Sequence, residues 1–317
     1  MRLHSQAGVV CAAVMSMAAC SAGSTADTDG VRISGRHDAD GTQVYQLALE
    51  EARARRLDQV RAPDGWLSYT GSGRLRAGRY RVGSDPHSDL VLPAGPAQLG
   101  ELSLDAAGHV YFRAAAGVTV RLNGQPVGEV TLEPERAGRR GDRLDVQNRQ
   151  FYLVQTGTLF GWRFRDPGAA AVSRFQGFDY FPTDPHWRLQ ARWQPYATPR
   201  SVTLLTSIGT PLTVEVLGEA VFKRDGREYR LQPIVQDDVS GLFFLFADRT
   251  SGKESYGGAR YLFTAMPRDG QVTLDFNLAE NPPCAFTTHV VCPIAPPENR
   301  LDVAVNAGEK TYRALDP

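Results

Sequence analysis

At 317 residues, 42% of them hydrophobic and 22% charged, the chain has room for two ordinary domains or one large β domain, and its composition excludes wholesale disorder. Its formal net charge is zero. That argues against a bulk electrostatic grip on nucleic acid, which needs clustered Lys and Arg to displace counterions, so no nucleic-acid partner is expected. The first element is an address: "MRLHSQAGVVCAAVMSMAAC" has a basic start, an apolar stretch over residues 7–19 and small residues at its end, the layout of a secretory signal over 1–19. That stretch is too short to span a bilayer, which takes about 20 apolar residues.

Ala18-Ala19-Cys20 has the form of a bacterial lipobox, with Met17 where Leu is more usual. Cleavage before Cys20 and acylation there would anchor the protein to the envelope, the lipid bilayer being its first partner. The alternative is a plain signal peptide with a coincidental cysteine. "SAGSTADTDG" and the residues to 40 read as a flexible tether. Cys11 leaves with the signal and Cys20 is lipidated, so only Cys284 and Cys292 remain, in an oxidising compartment where such a pair is expected to bridge.

Residues 41–60, "GTQVYQLALEEARARRLDQV", place Val44, Leu47, Ala48, Glu51 and Leu57 at helical spacing, and an amphipathic helix is expected over 41–65, closed by Pro63-Asp64-Gly65. The basic runs "RARRLDQVR" (53–61) and "RAGRRGDR" (136–143) are read as solvated faces. From 66 to 166 the pattern turns to short alternating runs split by Gly and Pro, the pattern of an antiparallel sandwich, with "LNGQ" as an Asn-Gly hairpin. Residues 167–317 continue as a second antiparallel β domain with a proline-rich loop. The fold class is therefore mostly β, with one lead helix.

"RVGSDPHSDLVLP" followed by "LSLDAAGHVYFRAAAGVTVRLNGQPV" resembles a forkhead-associated sandwich in its order of glycine turn, Asp–aliphatic strand and Asn-Gly hairpin. Members of that family that bind phosphothreonine carry an Arg after the first Gly and a Ser-x-x-His further on. Here Ser84 follows Gly83 and "GPAQLGE" fills the second region, so no phosphothreonine peptide is expected. Four segments, "APDGWLSYTGSGRLRAGRYRVGS", "FQGFDYFPTDPHWRLQARWQPY", "GLFFLFADRTSGKESYGGARYL" and "DFNLAENPPCAFTTHVVCPIAPPENRLDVAVNAGEKTY", resemble the domain of unknown function 1684 family, from about residue 43 to 315. That resemblance implies architecture and candidate positions, and no activity. One departure is Glu280, where members commonly have an aromatic.

"FADRTSGKESYGGARYL" puts Asp248, Arg249, Thr250, Tyr256 and Arg260 at a strand end, where sites are often grafted. Asp248 and Thr250 share a face, and Arg260 suits a carboxylate or phosphate. The bland reading is a capped turn with a salt bridge. Asp275 and Asn277 share the next strand's face; Asn281, Glu298, Asn299 and Glu309 add acids and amides. Together they suit a small polar ligand, an acid–base pair or calcium, or they merely tie a proline-stiffened loop through backbone hydrogen bonds. Cys284, His289 and Cys292 space as C-x4-H-x2-C, and with Glu298 would make a zinc site, although a disulfide between the cysteines is favoured. "GARYLFTAMP" and "QVTLDFN", joined by "RDG", are expected to pair as a hairpin that brings Arg260 close to Asp275, with Asp248 on the same edge.

No G-x-S-x-G, Walker or dinucleotide glycine motif occurs. The sequence thus predicts an exported, lipid-anchored envelope protein with no assigned catalytic residue and no predicted cofactor. Its leading function is a binding module for a small polar or carbohydrate-like ligand. The alternatives are a hydrolase-like enzyme using the carboxylates, for which Asp248, Asp275 and Glu298 should share a cleft, and a purely structural protein.

Overall fold

The computed structural model describes residues 36–136, 139–235 and 240–313, with side chains from residue 41. The signal segment, Cys20 and the tether up to residue 35 lie outside the described residues. Among the described residues no helix is long and apolar enough to cross a membrane.

Helix α1 (Arg36–Arg61) begins five residues inside the segment expected as tether. Once a helix is nucleated, each further residue adds one hydrogen bond at little cost, which lets it run back past Gly41. Its buried face also differs from the expected one. Val44 and Leu47 are 65% and 56% exposed, while Leu49 and Val60 are buried and Arg53, Arg56 and Leu57 half-buried between them. Two arginines therefore lie on the inward stripe, and the run 53–61 is no solvated face. Val60 packs with Leu67 and Phe175 in a small core flanked by Trp66, Phe178, Phe286 and Tyr312.

Eleven strands follow: β1 (Tyr69–Leu75), β2 (Gly78–Gly83), β3 (Leu90–Val91), β4 (Gly100–Leu104), β5 (Val110–Ala114), β6 (Val120–Leu122), β7 (Gln125–Val127), β8 (Glu129–Leu132), β9 (Arg143–Val146), β10 (Arg149–Thr156) and β11 (Leu159–Arg165). They form a six-stranded sheet, β1-β11-β10-β9-β6-β7, and a five-stranded sheet, β3-β2-β4-β5-β8. Alternation sends Leu102, Val110, Phe112, Phe151, Leu153 and Phe164 into the core between them. Asn123 and Gly124 both have positive φ, 52° and 80°, as a two-residue primed hairpin requires. Gly83 is needed for a different reason: a Cβ there would lie 2.0 Å from the Ala97 carbonyl oxygen. Ser84, beside it, donates to the Gly95 carbonyl at 2.8 Å, so its hydroxyl is turned onto its own loop.

After a one-turn helix α2 (Ala170–Arg174) come β12 (Arg188–Leu205), β13 (Pro211–Arg224), β14 (Arg227–Leu231), β15 (Pro233–Ile234), β16 (Leu242–Phe246), β17 (Arg260–Thr264) and β18 (Gln271–Asp275). They make a four-stranded sheet, β14-β13-β12-β18, and a three-stranded sheet, β15-β16-β17. Trp187, Phe222, Phe244, Phe246, Leu262 and Phe276 fill the core between them. β16 is buried at every position, as its unbroken "LFFLF" run requires. The expected β17–β18 hairpin does not form. Asp269-Gly270 does make a tight positive-φ turn, closed by the Arg268–Gln271 bridge, but β17 then pairs with β16 and β18 with β12. Contacts gather both sheet pairs into one unit, Gln46–Pro317.

Candidate functional site

Arg260 opens β17 and is 1% exposed. It donates through Nη1 to Asp248 Oδ2 at 3.0 Å and to the Val305 carbonyl at 2.9 Å, and through Nη2 to the Ala307 carbonyl. Asp248 Oδ1 accepts from the Thr250 and Val305 amides at 2.7 and 3.2 Å. Thr250 closes the turn with a 2.7 Å hydroxyl contact to Ser255. Burial pushes the Arg260 pKa down, against the pull of Asp248. The pair pins the 303–307 segment to the sheet and faces no opening. Tyr256 is half-buried, its pKa raised by burial, and packs against Gly258. Arg249 pairs with Asp302 on the surface at 2.6 Å.

The amides tie loops. Asn277 accepts from the Asp184 amide at 3.1 Å and donates to its carbonyl at 2.9 Å. Asn299 accepts from the Gln232 amide and donates to the Gln232 and Leu245 carbonyls, each at 2.8 Å. Asn281 donates to the Lys310 carbonyl at 2.7 Å. Asp275 receives Asn277 and faces Arg188 at 3.6 Å, and Glu298 is exposed on a separate 3-10 turn. The structure therefore binds Asp248 and Asp275 through different elements, and Asp248, Asp275 and Glu298 do not line one cleft. Cys284 and Cys292 stand at disulfide distance, with Cα atoms 6.1 Å apart. Of the alternative zinc set, His289 turns to Ser72 and Glu298 to solvent. Among the described residues no three metal-ligating side chains converge.

A different group does line an opening. The inward stripe of α1 meets the 3-10 turn after β18 and the segment around Glu309 in a cleft of about 190 Å³, walled by Arg53, Arg56, Tyr180, Phe263, Glu280 and Glu309. Arg56 Nε lies 3.1 Å from both Glu280 Oε2 and Glu309 Oε1, and its Nη2 donates to the Asn281 carbonyl at 2.8 Å. The second Glu309 oxygen accepts from the Asn281 amide at 2.6 Å. The two carboxylate oxygens can thus be no further apart than twice the distance each keeps from Nε. Burial raises the Glu280 carboxyl to about 7, with Glu309 adding to the rise and Arg56 opposing it. Burial likewise raises Tyr180 above the ordinary phenol range, with Glu309 adding to it. The Arg53 guanidinium carbon stands over the Tyr180 ring, 4.1 Å from its centroid, and Nη2 donates to Thr183 Oγ1 at 3.3 Å. Its buried Nε has no partner, and among the described residues it makes no ion pair.

Of these residues the sequence singles out Glu309 and Asn281, as one acid and one amide among several. Glu280 had a signal, since it stands where an aromatic is usual. Arg53 and Arg56 had none, because inward and outward arginines of one helix look alike in sequence.

A family of proteins of unknown function, DUF1684, matches residues 173–310. The segment 62–84, which also resembles that family, lies outside the match. An uncharacterised protein of Haloarcula marismortui, solved by solution NMR, is 38% identical, covering 44% of this chain and 78% of that one, with a TM-score of 0.38. No curated protein matches.

Proposed function

The chain belongs to the DUF1684 family through residues 173–310, and from that premise we propose that it is a lipid-anchored envelope binding module whose cleft beside α1 takes a small, hydroxyl-rich polar ligand. The observation that carries this reading is the Glu280–Arg56–Glu309 bridge at the edge of an opening, beside a cation, Arg53, that makes no ion pair among the described residues. Such a wall offers both acceptors and donors, with the Tyr180 and Phe263 rings as apolar surface, the mix that polyols and sugar rings present in reverse. The cleft's volume is below the roughly 300–1,000 Å³ of drug-sized pockets, which limits the ligand to a single small ring or its equivalent. A carboxylate-based hydrolase is the weaker reading, because Arg56 occupies the space between the two carboxylates where a reacting atom would sit. Anchoring rests on the Ala18-Ala19-Cys20 motif.

The test uses the full-length protein in detergent and a panel of monosaccharides, amino sugars and glycerol, followed by calorimetry and melting temperature. At least one member should bind saturably, and Arg53→Met should abolish that binding while leaving the fold intact. If nothing on the panel binds, or binding survives Arg53→Met and Glu309→Gln alike, the cleft is structural. Cys20→Ala should release the protein from membranes or block its processing; an unmodified mature N-terminus elsewhere would end the anchoring claim.

A further inference from the structure

The outer face of the six-stranded sheet carries an imbalance of charge. Register sets Ser72 opposite Arg163, Arg163 opposite Tyr152, and Tyr152 opposite Arg143, so these four form one row across β1, β11, β10 and β9. Arg143 stacks on Tyr152 at 3.6 Å and pairs with Glu135. Arg165 donates to the Tyr69 hydroxyl, which also receives Tyr152 at 2.7 Å. Arg163 gives one bond, from Nη1 to the carbonyl of its neighbour Trp162 at 3.0 Å. Among the described residues neither Arg163 nor the exposed Arg74, two residues along β1 from Ser72, has a carboxylate within ion-pair distance. Two acids of this face bond to other side chains: Glu135, whose charge also reaches Arg163, to Arg143, and Asp145 to Gln150 at 2.9 Å. The five-stranded sheet shows the usual solution. On its outer face Arg81 pairs with Asp89 at 3.1 Å, and Arg113 pairs with Glu101.

The disulfide-closed loop brings a further group to Arg163. His289 Nδ1 lies 3.0 Å from Ser72 Oγ, and Thr287 of the same loop reaches the Tyr69 carbonyl at 3.5 Å. A serine and a histidine at this distance invite comparison with a nucleophile and its base. Two observations speak against that. Burial and the neighbouring Arg163 both depress the His289 pKa, and among the described residues no carboxylate orients the ring. A neutral ring that accepts from Ser72 at Nδ1 carries its proton on Nε2 and is a donor there. Positive charge on Arg163 and a donor at His289 Nε2 are therefore available together, while the Ser72 proton is spent on holding the ring.

We propose that Arg163 and His289 Nε2, with Ser72 orienting the imidazole through Nδ1, form a binding site for a tetrahedral oxyanion of the phosphate class, at the seam between the six-stranded sheet and the disulfide-closed loop. Arg163 supplies a planar fork suited to two oxygens of one anion, and Arg74 adds charge at the rim. The site is on the sheet face, away from the Gly83–Ser84 loop, and it stands independently of the cleft beside α1.

Calorimetric titration of the full-length protein in detergent with inorganic phosphate, and separately with glycerol 3-phosphate, tests this. Saturable binding of at least one is expected, weakened about tenfold or more by Arg163→Met, the scale of a lost charged hydrogen bond. Arg163→Lys keeps the charge but not the fork and should also weaken binding, which keeps the test open if Arg163→Met fails to fold. Arg81→Met, on the opposite sheet, should leave binding unchanged. Tighter binding of the ester would mark an organic phosphate as the ligand, and equal binding phosphate itself. No saturable binding of either anion, unchanged binding in both Arg163 variants, or an equal loss in Arg81→Met would overturn the assignment.

Discussion

Arg260 and Arg56 meet carboxylates in the same half of the molecule and end in opposite conditions. Arg260 is enclosed: one carboxylate and two backbone carbonyls take its bonds, and Asp248 has no exposed side-chain surface. Arg56 is shared between two glutamates, one 2% and the other 21% exposed, at the wall of an opening. An enclosed pair whose Nη bonds are taken by a carboxylate and backbone carbonyls locks geometry and offers nothing to a ligand, even with the buried Arg260 Nε unpartnered. A shared cation beside space leaves bonding capacity on the carboxylates and can be relieved by a proton. The difference teaches that the charge pair with the most specific sequence motif around it, "FADRTSGKESYGGARYL", is the one least able to act.

The sharpest way to break the comparison is Arg260→Met, which leaves Asp248 buried without a cation. A loss of about 3–5 kcal/mol in urea unfolding is expected, as for other broken buried pairs. A loss under about 1 kcal/mol would mean the pair is not the lock it is taken for. Next comes the staple. Replacing both Cys284 and Cys292 by Ala should cost about 2–3 kcal/mol, the chain-entropy value for so short a loop, and reduction of the wild type should lower its melting temperature by a similar amount. Insensitivity to reduction would show that the loop is held by packing alone.

The third measurement concerns Glu280. Its folded pKa, about 7, lies above the ordinary value of 4.5, so between these limits the folded state binds more protons than the unfolded state. Stability should therefore be fully present below pH 4.5, fall as pH rises towards about 7, and level off above it, by roughly 3 kcal/mol in all. Glu280→Gln should flatten that slope, and a slope unchanged in the variant would assign it to other groups. The smallest effect expected on stability is that of Arg53→Met, about 1 kcal/mol or less for one cation–π contact and one long hydrogen bond. If that variant unfolds like Arg260→Met, the two regions are alike after all and both are structural.

Much of the architecture was legible because it depends on local chemistry. Alternating apolar residues foretell half-buried strands, Asn123-Gly124 a primed hairpin, and "LFFLF" a strand buried on both faces. The closeness of Cys284 and Cys292 is legible from their short spacing within one proline-stiffened loop. The candidate pocket was not legible. Asp248, Asp275, Asn277 and Arg260 were singled out by their closeness in sequence, yet β17 and β18 leave the Asp269-Gly270 turn for different sheets and carry those residues to different partners. That choice depends on the apolar faces of β16, the strand just before β17, and of β12, which lies far from β18 in the chain.

What the sequence by itself determined is the β-rich class, the turns and the staple, each written within a few residues by side-chain shape, backbone preference or thiol number. Tertiary structure alone decided which charges matter. Only packing puts the Arg53 and Arg56 side of α1 against Glu280 and Glu309, more than 200 positions away. Only sheet register sets Arg163 beside Ser72, and only the docking of the disulfide-closed loop brings His289 to that row. Burial and opposite charge at a few ångströms set the properties of these groups, and both come from neighbours that the chain supplies only once it is folded.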